Sequence, residues 1–460
     1  MVRGLAARAH TALPALALMT SACTEDQRAI DPFPIRVDLS RGPMTLAMNV
    51  GDGPVPAIID TATPLTVIDP LVAGETVPAP RRKLVTVTVI GLNPDGDPTI
   101  PRAEFPDTAA LELHPCPDDG PCSVGLEGDT VDFRGVIGGD VLSRSSARFD
   151  FPTSELRFFP GTSGDSSQLG DECQAVFGRS FAGGGTLRVA GTEVLFPSVR
   201  PVVGACLDEA RTPAEDGGSD PLLEERGTDA LMLVSTGLGI TVLASSAYER
   251  YRDATDGPAL EDLPEGVLHL ASGAVPVRLG SIGRLALAGT LGSGSENDNQ
   301  DRGPCRELFL NRLMAGEKCT DPDAGIESCP CPDGSDFCST AAAVDLDRSI
   351  EVAVLDDGDP VLQSLRDELR PKTPELDGIL GTEALASLRL ELDYINNRMV
   401  MRCLVGPHCD TLPAVRNKGV LARLKECAER EQELPGDGIP DGGLPDGGTA
   451  DGGTADAAVE

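Results

Sequence analysis

The chain has 460 residues, a formal charge of −35 and a pI of about 4.4. Such acidity repels nucleic-acid phosphates, and with no Trp and only 3% aromatic residues the chain offers no platform for stacked bases. The length suits two or three domains or one large two-lobed unit, and apolar residues at 40%, with many Val, Leu, Gly and Pro, fit a globular β-rich chain better than a disordered one.

Residues 1–22 read as an export signal. Arg3 and Arg8 make a basic start, and "TALPALALM" is an apolar stretch too short to span a bilayer. It ends in "TSAC", which resembles a bacterial lipobox with Cys23 as the lipidated residue; the alternative is an ordinary cleavable signal. Thr24, where inner-membrane retention favours Asp, points to the outer membrane, on its periplasmic or surface face. Residues 23–34 would then be a linker to the anchor.

From about Ile35, short runs with period-two patterning alternate with Gly, Pro and Asp turns. "MTLAMNV", "KLVTVTVIGL", "ARFDF" and "LRFF" predict strands in the first half, and "TLRVAG", "ALMLV", "GVLHLA" and "RLELDY" predict them in the second. "NPDGDPTIPRAE" (93–104) carries oxygen side chains at calcium-loop spacing, but Pro98 stands where that loop needs Gly, so it reads as a hairpin turn. "GRSFAGGGTLRV" (178–189) lacks the Lys-Ser/Thr ending of a phosphate loop and reads as an interlobe turn. Helical patterning is confined to "SSAYERYR", "DPVLQSLRDELR" and "AVRNKGVLARLKECAEREQE". The stretch 435–460 is acidic, low in complexity and expected to be disordered.

Setting Cys23 aside leaves twelve of the thirteen Cys, an even number that suits disulfides in an oxidising compartment. Spacing suggests Cys116 with Cys122, Cys403 with Cys409, and Cys173 with Cys206. Cys305, Cys319, Cys329, Cys331 and Cys338 would need Cys427 to complete three further pairs. A zinc site at "CPC" (329–331) is the competing reading. No His lies near it, and we expect neither a metal nor any other cofactor.

Two blocks recur in order. "AIIDTATPLTVI" (57–68) lies over "MLVSTGLGITVL" (232–243) without a gap, an offset of 175 that sets Asp60 on Ser235. "VIGGDVLSRSSARFDF" (136–151) lies over "ILGTEALASLRLELDY" (379–394), an offset of 243 that sets Gly138 on Gly381. The difference of 68 residues calls for an insertion in the second half, and the Cys-rich stretch at about 290–345 is the candidate.

In these blocks the chain resembles the pepsin-like aspartic proteases and their half-sized retropepsin-like relatives. "IIDTAT" and "LVSTGL" stand where the family has its Asp-Thr-Gly loops, and "GVIGGDVL" and "GILGTEAL" where it has the segments threaded beside them. The resemblance implies an all-β, bilobal acid-protease fold with internal duplication and the Cys-rich insertion in the second lobe. The boundaries expected are 35–162 for the first lobe, 163–228 for the interlobe region and start of the second, 229–404 for the second lobe and 405–434 for a C-terminal helical extension.

The resemblance also implies a catalytic site, and here the sequence departs from it. The family's chemistry needs two carboxylates about 3 Å apart sharing a proton. Asp60 fills one place; Ser235 fills the other, and a hydroxyl does not alternate as acid and base. In the supporting loops Thr61, Thr236 and Gly237 match the family, and Ala62 replaces its Gly. The expectation is a monomeric envelope lipoprotein with an impaired peptidase centre, holding a peptide or protein segment in the interlobe cleft and touching the membrane through Cys23. The alternative is an active aspartic endopeptidase using Asp60 with another acid.

Overall fold

The structure, a computed structural model, describes residues 34–40, 42–50, 53–69, 81–92, 98–113, 122–159, 175–178, 181–189, 192–196, 198–209, 227–289, 343–369, 375–395, 397–404 and 409–412. The expected signal, Cys23, the Cys-rich stretch from 290 to 342, the helical pattern beyond 412 and the acidic tail lie outside these residues.

The first half contributes β1 (Ile35–Arg36), β2 (Thr45–Asn49), β3 (Pro54–Ile59), β4 (Val67–Ile68) and a long hairpin, β5 (Arg81–Leu92) with β6 (Pro98–Glu112). A second hairpin follows, β7 (Cys122–Leu126) with β8 (Asp129–Phe133). Then come β9 (Gly135–Ile137), the short α1 (Gly139–Leu142), β10 (Ser146–Asp150) and β11 (Glu155–Phe159). Four strands lead to the second half: β12 (Ala175–Gly178), β13 (Phe181–Ala182), β14 (Gly185–Val189) and β15 (Thr192–Phe196).

The second half has β16 (Arg200–Asp208), β17 (Thr228–Val234), β18 (Thr241–Ala244), α2 (Ser245–Thr255), β19 (Glu265–Leu270), β20 (Gly273–Ile282) and β21 (Arg284–Gly289). After the stretch 290–342 it continues with β22 (Ala343–Leu346), β23 (Ile350–Leu355), α3 (Pro360–Leu369), β24 (Gly378–Leu380), α4 (Thr382–Leu385), β25 (Leu388–Asp393), β26 (Arg398–Cys403) and β27 (Cys409–Leu412). All the strands predicted from period-two runs are strands here, and the first two helical patterns are α2 and α3. Residues 409–412, inside the stretch expected as a C-terminal extension, form β27, which pairs with β22, and Cys409 is bonded to Cys403 at the end of β26; the helical pattern of that extension lies outside the described residues.

The duplication is visible strand for strand. The first lobe closes as a barrel in the order β2-β3-β9-β4-β6-β5, and the second carries β16-β17-β24-β18-β23-β20 within a larger sheet. Both offsets recur in the ladders. β3 pairs with β9 in parallel with Ile59 opposite Ile137, and β17 with β24 with Val234 opposite Leu380. Hydrogen bonds repeat as well: Gly138 N–H donates to Thr66 Oγ1 at 3.2 Å, and Gly381 N–H to Thr241 Oγ1 at 3.3 Å. Glycine is needed at these two threading positions because a Cβ would stand 2.5 Å from the Leu65 carbonyl carbon and 2.3 Å from the Ile240 oxygen.

β17 is buried along its whole length. Ala230, Met232 and Val234 face the main core, while Leu231 and Leu233 pack with Leu362 and Leu369 of α3. Burial on both faces is why this strand reads as a continuous apolar run rather than an alternating one.

Beneath both lobes lies a six-stranded sheet in the order β1-β11-β10-β25-β26-β12, joined across the lobes by antiparallel β10 and β25. Its central rung pairs Arg148 with Glu391, which are each other's counterparts at the offset of 243, so the pseudo-twofold axis passes through that rung. Arg148 Nε lies 2.6 Å from Glu391 Oε1 as an ion pair, without the alignment of a hydrogen bond. The described residues belong to one compact unit, and among them no helix is long and apolar enough to cross a membrane.

Candidate functional site

Asp60 follows the last residue of β3 and Ser235 the last residue of β17. The threading strands hold both ends: Asp60 N–H donates to the Ile137 carbonyl at 3.0 Å, and Ser235 N–H to the Leu380 carbonyl at 2.9 Å. These are equivalent bonds in the two lobes, and they present the two side chains to each other.

The following threonines cross between lobes. Thr61 Oγ1 donates to the Val234 carbonyl at 2.6 Å and Thr236 Oγ1 to the Ile59 carbonyl at 2.7 Å. Each hydroxyl also accepts from the other threonine's backbone N–H at 3.3 Å. Both side chains are buried. The reciprocal bonds satisfy backbone groups that would otherwise be left unpaired in the core.

Across this lock Ser235 Oγ donates to Asp60 Oδ1 at 2.8 Å. Ala62 N–H donates to the same oxygen at 2.9 Å, and Thr63 Oγ1 donates to Asp60 Oδ2 at 2.5 Å. Among the described residues, the hydrogen-bond partners of this carboxylate are therefore three neutral donors. Asp229 sits at the other end of β17, opposite Cys206, about 20 Å from Ser235 at the rise of a strand. The two strand ends thus bring a carboxylate and a hydroxyl face to face, and among the described residues no second carboxylate is bonded to Asp60.

Ala62 and Gly237 occupy matched places, and neither has a positive φ. At Gly237 the constraint is therefore space and not an unusual backbone angle. A Cβ on Gly237 would meet Asp60 Cβ at 2.6 Å, whereas the Ala62 methyl packs against the cluster formed by α3 and β17. The Asp60 loop thus carries a methyl at Ala62, whereas the Ser235 loop has no room for one at Gly237.

Tyr394 was not singled out by the sequence. Its ring stacks on Phe181 at 4.5 Å between centroids, and its hydroxyl is enclosed without a hydrogen-bond partner among the described residues. Burial, with the nearby charge of Asp60 adding to it, pushes the phenol well above its ordinary pKa. The sequence carried no signal for it beyond an apolar-to-polar step after β25.

A cleft of about 500 Å³ opens on Asp60 and Ser235. Its walls are mostly apolar and include Val124, Phe133, Leu270 and Leu365. Among the described residues they come from the β7–β8 hairpin, the turn between β19 and β20, and α3. The described residues of the β5–β6 hairpin contribute none of them. Cys122 and Cys206 are disulfide-bonded to residues outside those described, and within the described set no cluster of His, Cys, Asp and Glu has the makings of a metal site.

No family model and no curated protein matches the chain. Among solved structures it is similar to the crystal structure of aspartic proteinase from Irpex lacteus, at 13% identity and a TM-score of 0.34, over 81% of this chain and 97% of that one. The reading of the chain as an all-β, bilobal fold is carried by its own strand-for-strand duplication.

Proposed function

We propose that this protein is a catalytically impaired member of the aspartic-protease-like fold that binds a peptide or protein segment in its interlobe cleft. The supporting observation is the hydrogen bond from Ser235 Oγ to Asp60 Oδ1 at 2.8 Å, in the place of a second carboxylate. Asp60 lacks an alternating acid partner, while the cleft above it keeps the volume and apolar lining of a binding site. The test is peptide-bond cleavage of unfolded protein substrates at acid pH, with Asp60→Asn as control. No cleavage is expected; cleavage that Asp60→Asn abolishes would reveal an active peptidase with another acid.

The same proposal makes the protein a monomeric envelope lipoprotein, held by a lipid on Cys23 and facing the periplasm or the surface from the outer membrane. The "TSAC" sequence supports it. Metabolic labelling with a fatty acid checks it: label should be lost in Cys23→Ala.

A further inference from the structure

Two walls of the cleft are joined to each other. β7 of the first lobe pairs with β19 of the second, with Leu126 opposite Leu268 and Gly125 opposite His269. Glu127 N–H adds a bond to the Val267 carbonyl at 2.9 Å. The two hairpins that wall the cleft are thereby hydrogen-bonded into one sheet that bridges the lobes. We infer that this seam disfavours a long chain lying straight across the cleft and leaves entry to a chain end.

The chemistry inside favours one kind of end. The Asp60 carboxylate has about four acceptor sites and takes three neutral donors. No cation is among those partners, and the surrounding walls are largely hydrocarbon. A positive group arriving there gains more than it would in water, because the low local dielectric strengthens the pairing. A carboxylate end would meet a like charge. The volume of about 500 Å³ falls within the range of pockets that enclose a small molecule.

We propose that the cleft captures the free amino terminus of a peptide that begins with apolar residues. The ammonium pairs with Asp60, and the first side chains lie against Val124, Phe133, Leu270 and Leu365. This rests on the reading of the dyad as a binding centre, and it names the ligand of that centre.

Calorimetry on the full chain tests it with four probes: a short Leu-Val-rich peptide amide with a free amine, its N-acetylated form, a longer peptide of the same core blocked at both ends, and hexylamine. The free-amine peptide should bind, and acetylation should weaken binding at least about ten-fold. Asp60→Asn should weaken the free-amine peptide similarly and erase the difference between the two forms, since both changes remove one interaction. Equal binding of the acetylated or doubly blocked peptide overturns the inference while leaving the impaired-peptidase reading intact. Hexylamine binding more tightly than the peptide overturns the peptide assignment in favour of a small amine, and absence of binding by every probe overturns it outright. The comparison of the first two probes needs only the unmodified protein, so it stands even if Asp60→Asn does not fold.

Discussion

Thr61 and Thr236 hold each other's loops: each hydroxyl donates to a carbonyl of the opposite lobe and accepts the other's backbone N–H. Thr236→Val keeps the shape and removes both functions. It strands the buried Ile59 carbonyl and Thr61 N–H, each at about 1–3 kcal/mol. We expect the unfolding free energy to fall by about 2–6 kcal/mol in urea titration. Thr61→Val should do the same, and the double variant should lose less than the sum because the two share one network.

Gly138 and Gly381 face backbone atoms of neighbouring turns, so the methyl of Ala has no flexible neighbour to displace. Gly138→Ala and Gly381→Ala should each destabilise by more than about 3 kcal/mol, above the usual range for overpacking. Gly53→Ala, where a Cβ meets nothing within 4 Å, is the control and should change stability little. Thermal unfolding of the three variants separates these outcomes.

The seam between β7 and β19 depends on Gly125, whose φ is +130° and whose Cβ would stand 2.6 Å from the Asp129 carbonyl oxygen. Gly125→Val should open the β7–β8 hairpin and free the Glu127 N–H from Val267. Hydrogen exchange at Glu127 should quicken by at least about ten-fold while that at Ser235, beneath the cleft, stays slow. Unchanged exchange at Glu127 would contradict the dependence of the seam on this glycine.

Acid groups of opposite behaviour set the pH dependence. Burial raises the carboxyl of Asp140 despite its bonds from Thr66, and burial together with the charge of Glu351 raises that of Glu383. For these two the native state holds the proton more tightly than the unfolded chain. Their stabilising contribution is complete below the ordinary carboxyl values of 3.8 and 4.5 and is lost as pH rises through the raised ones. Asp140→Asn and Glu383→Gln should therefore flatten the decline of stability from about pH 4 upward. Glu112 runs the other way: the hydrogen bond from Arg81, opposed by burial and aided by Lys83, lowers its carboxyl. Its contribution is present above 4.5 and lost as pH falls through the lowered value, and Glu112→Gln should remove that acid-side loss. Urea unfolding across a pH series reads all three.

The two offsets, 175 and 243, were legible in the sequence because threading strands have local signatures: an apolar run, a glycine where backbones touch, and a polar residue at the strand end. Those signatures placed Asp60 opposite Ser235 in the alignment of the two halves. The pairs made between lobes have no such local signature. The Arg148–Glu391 rung, the β7–β19 seam and the enclosed Tyr394 hydroxyl all join or surround residues far apart in the chain, and packing decides which of many possible neighbours they meet. Strand identity and duplication therefore follow from the sequence alone, since periodicity and turn chemistry act over a few residues. The bridging of the cleft and the three neutral donors around Asp60 were decided by tertiary structure, since they arise when two independently patterned lobes close on each other.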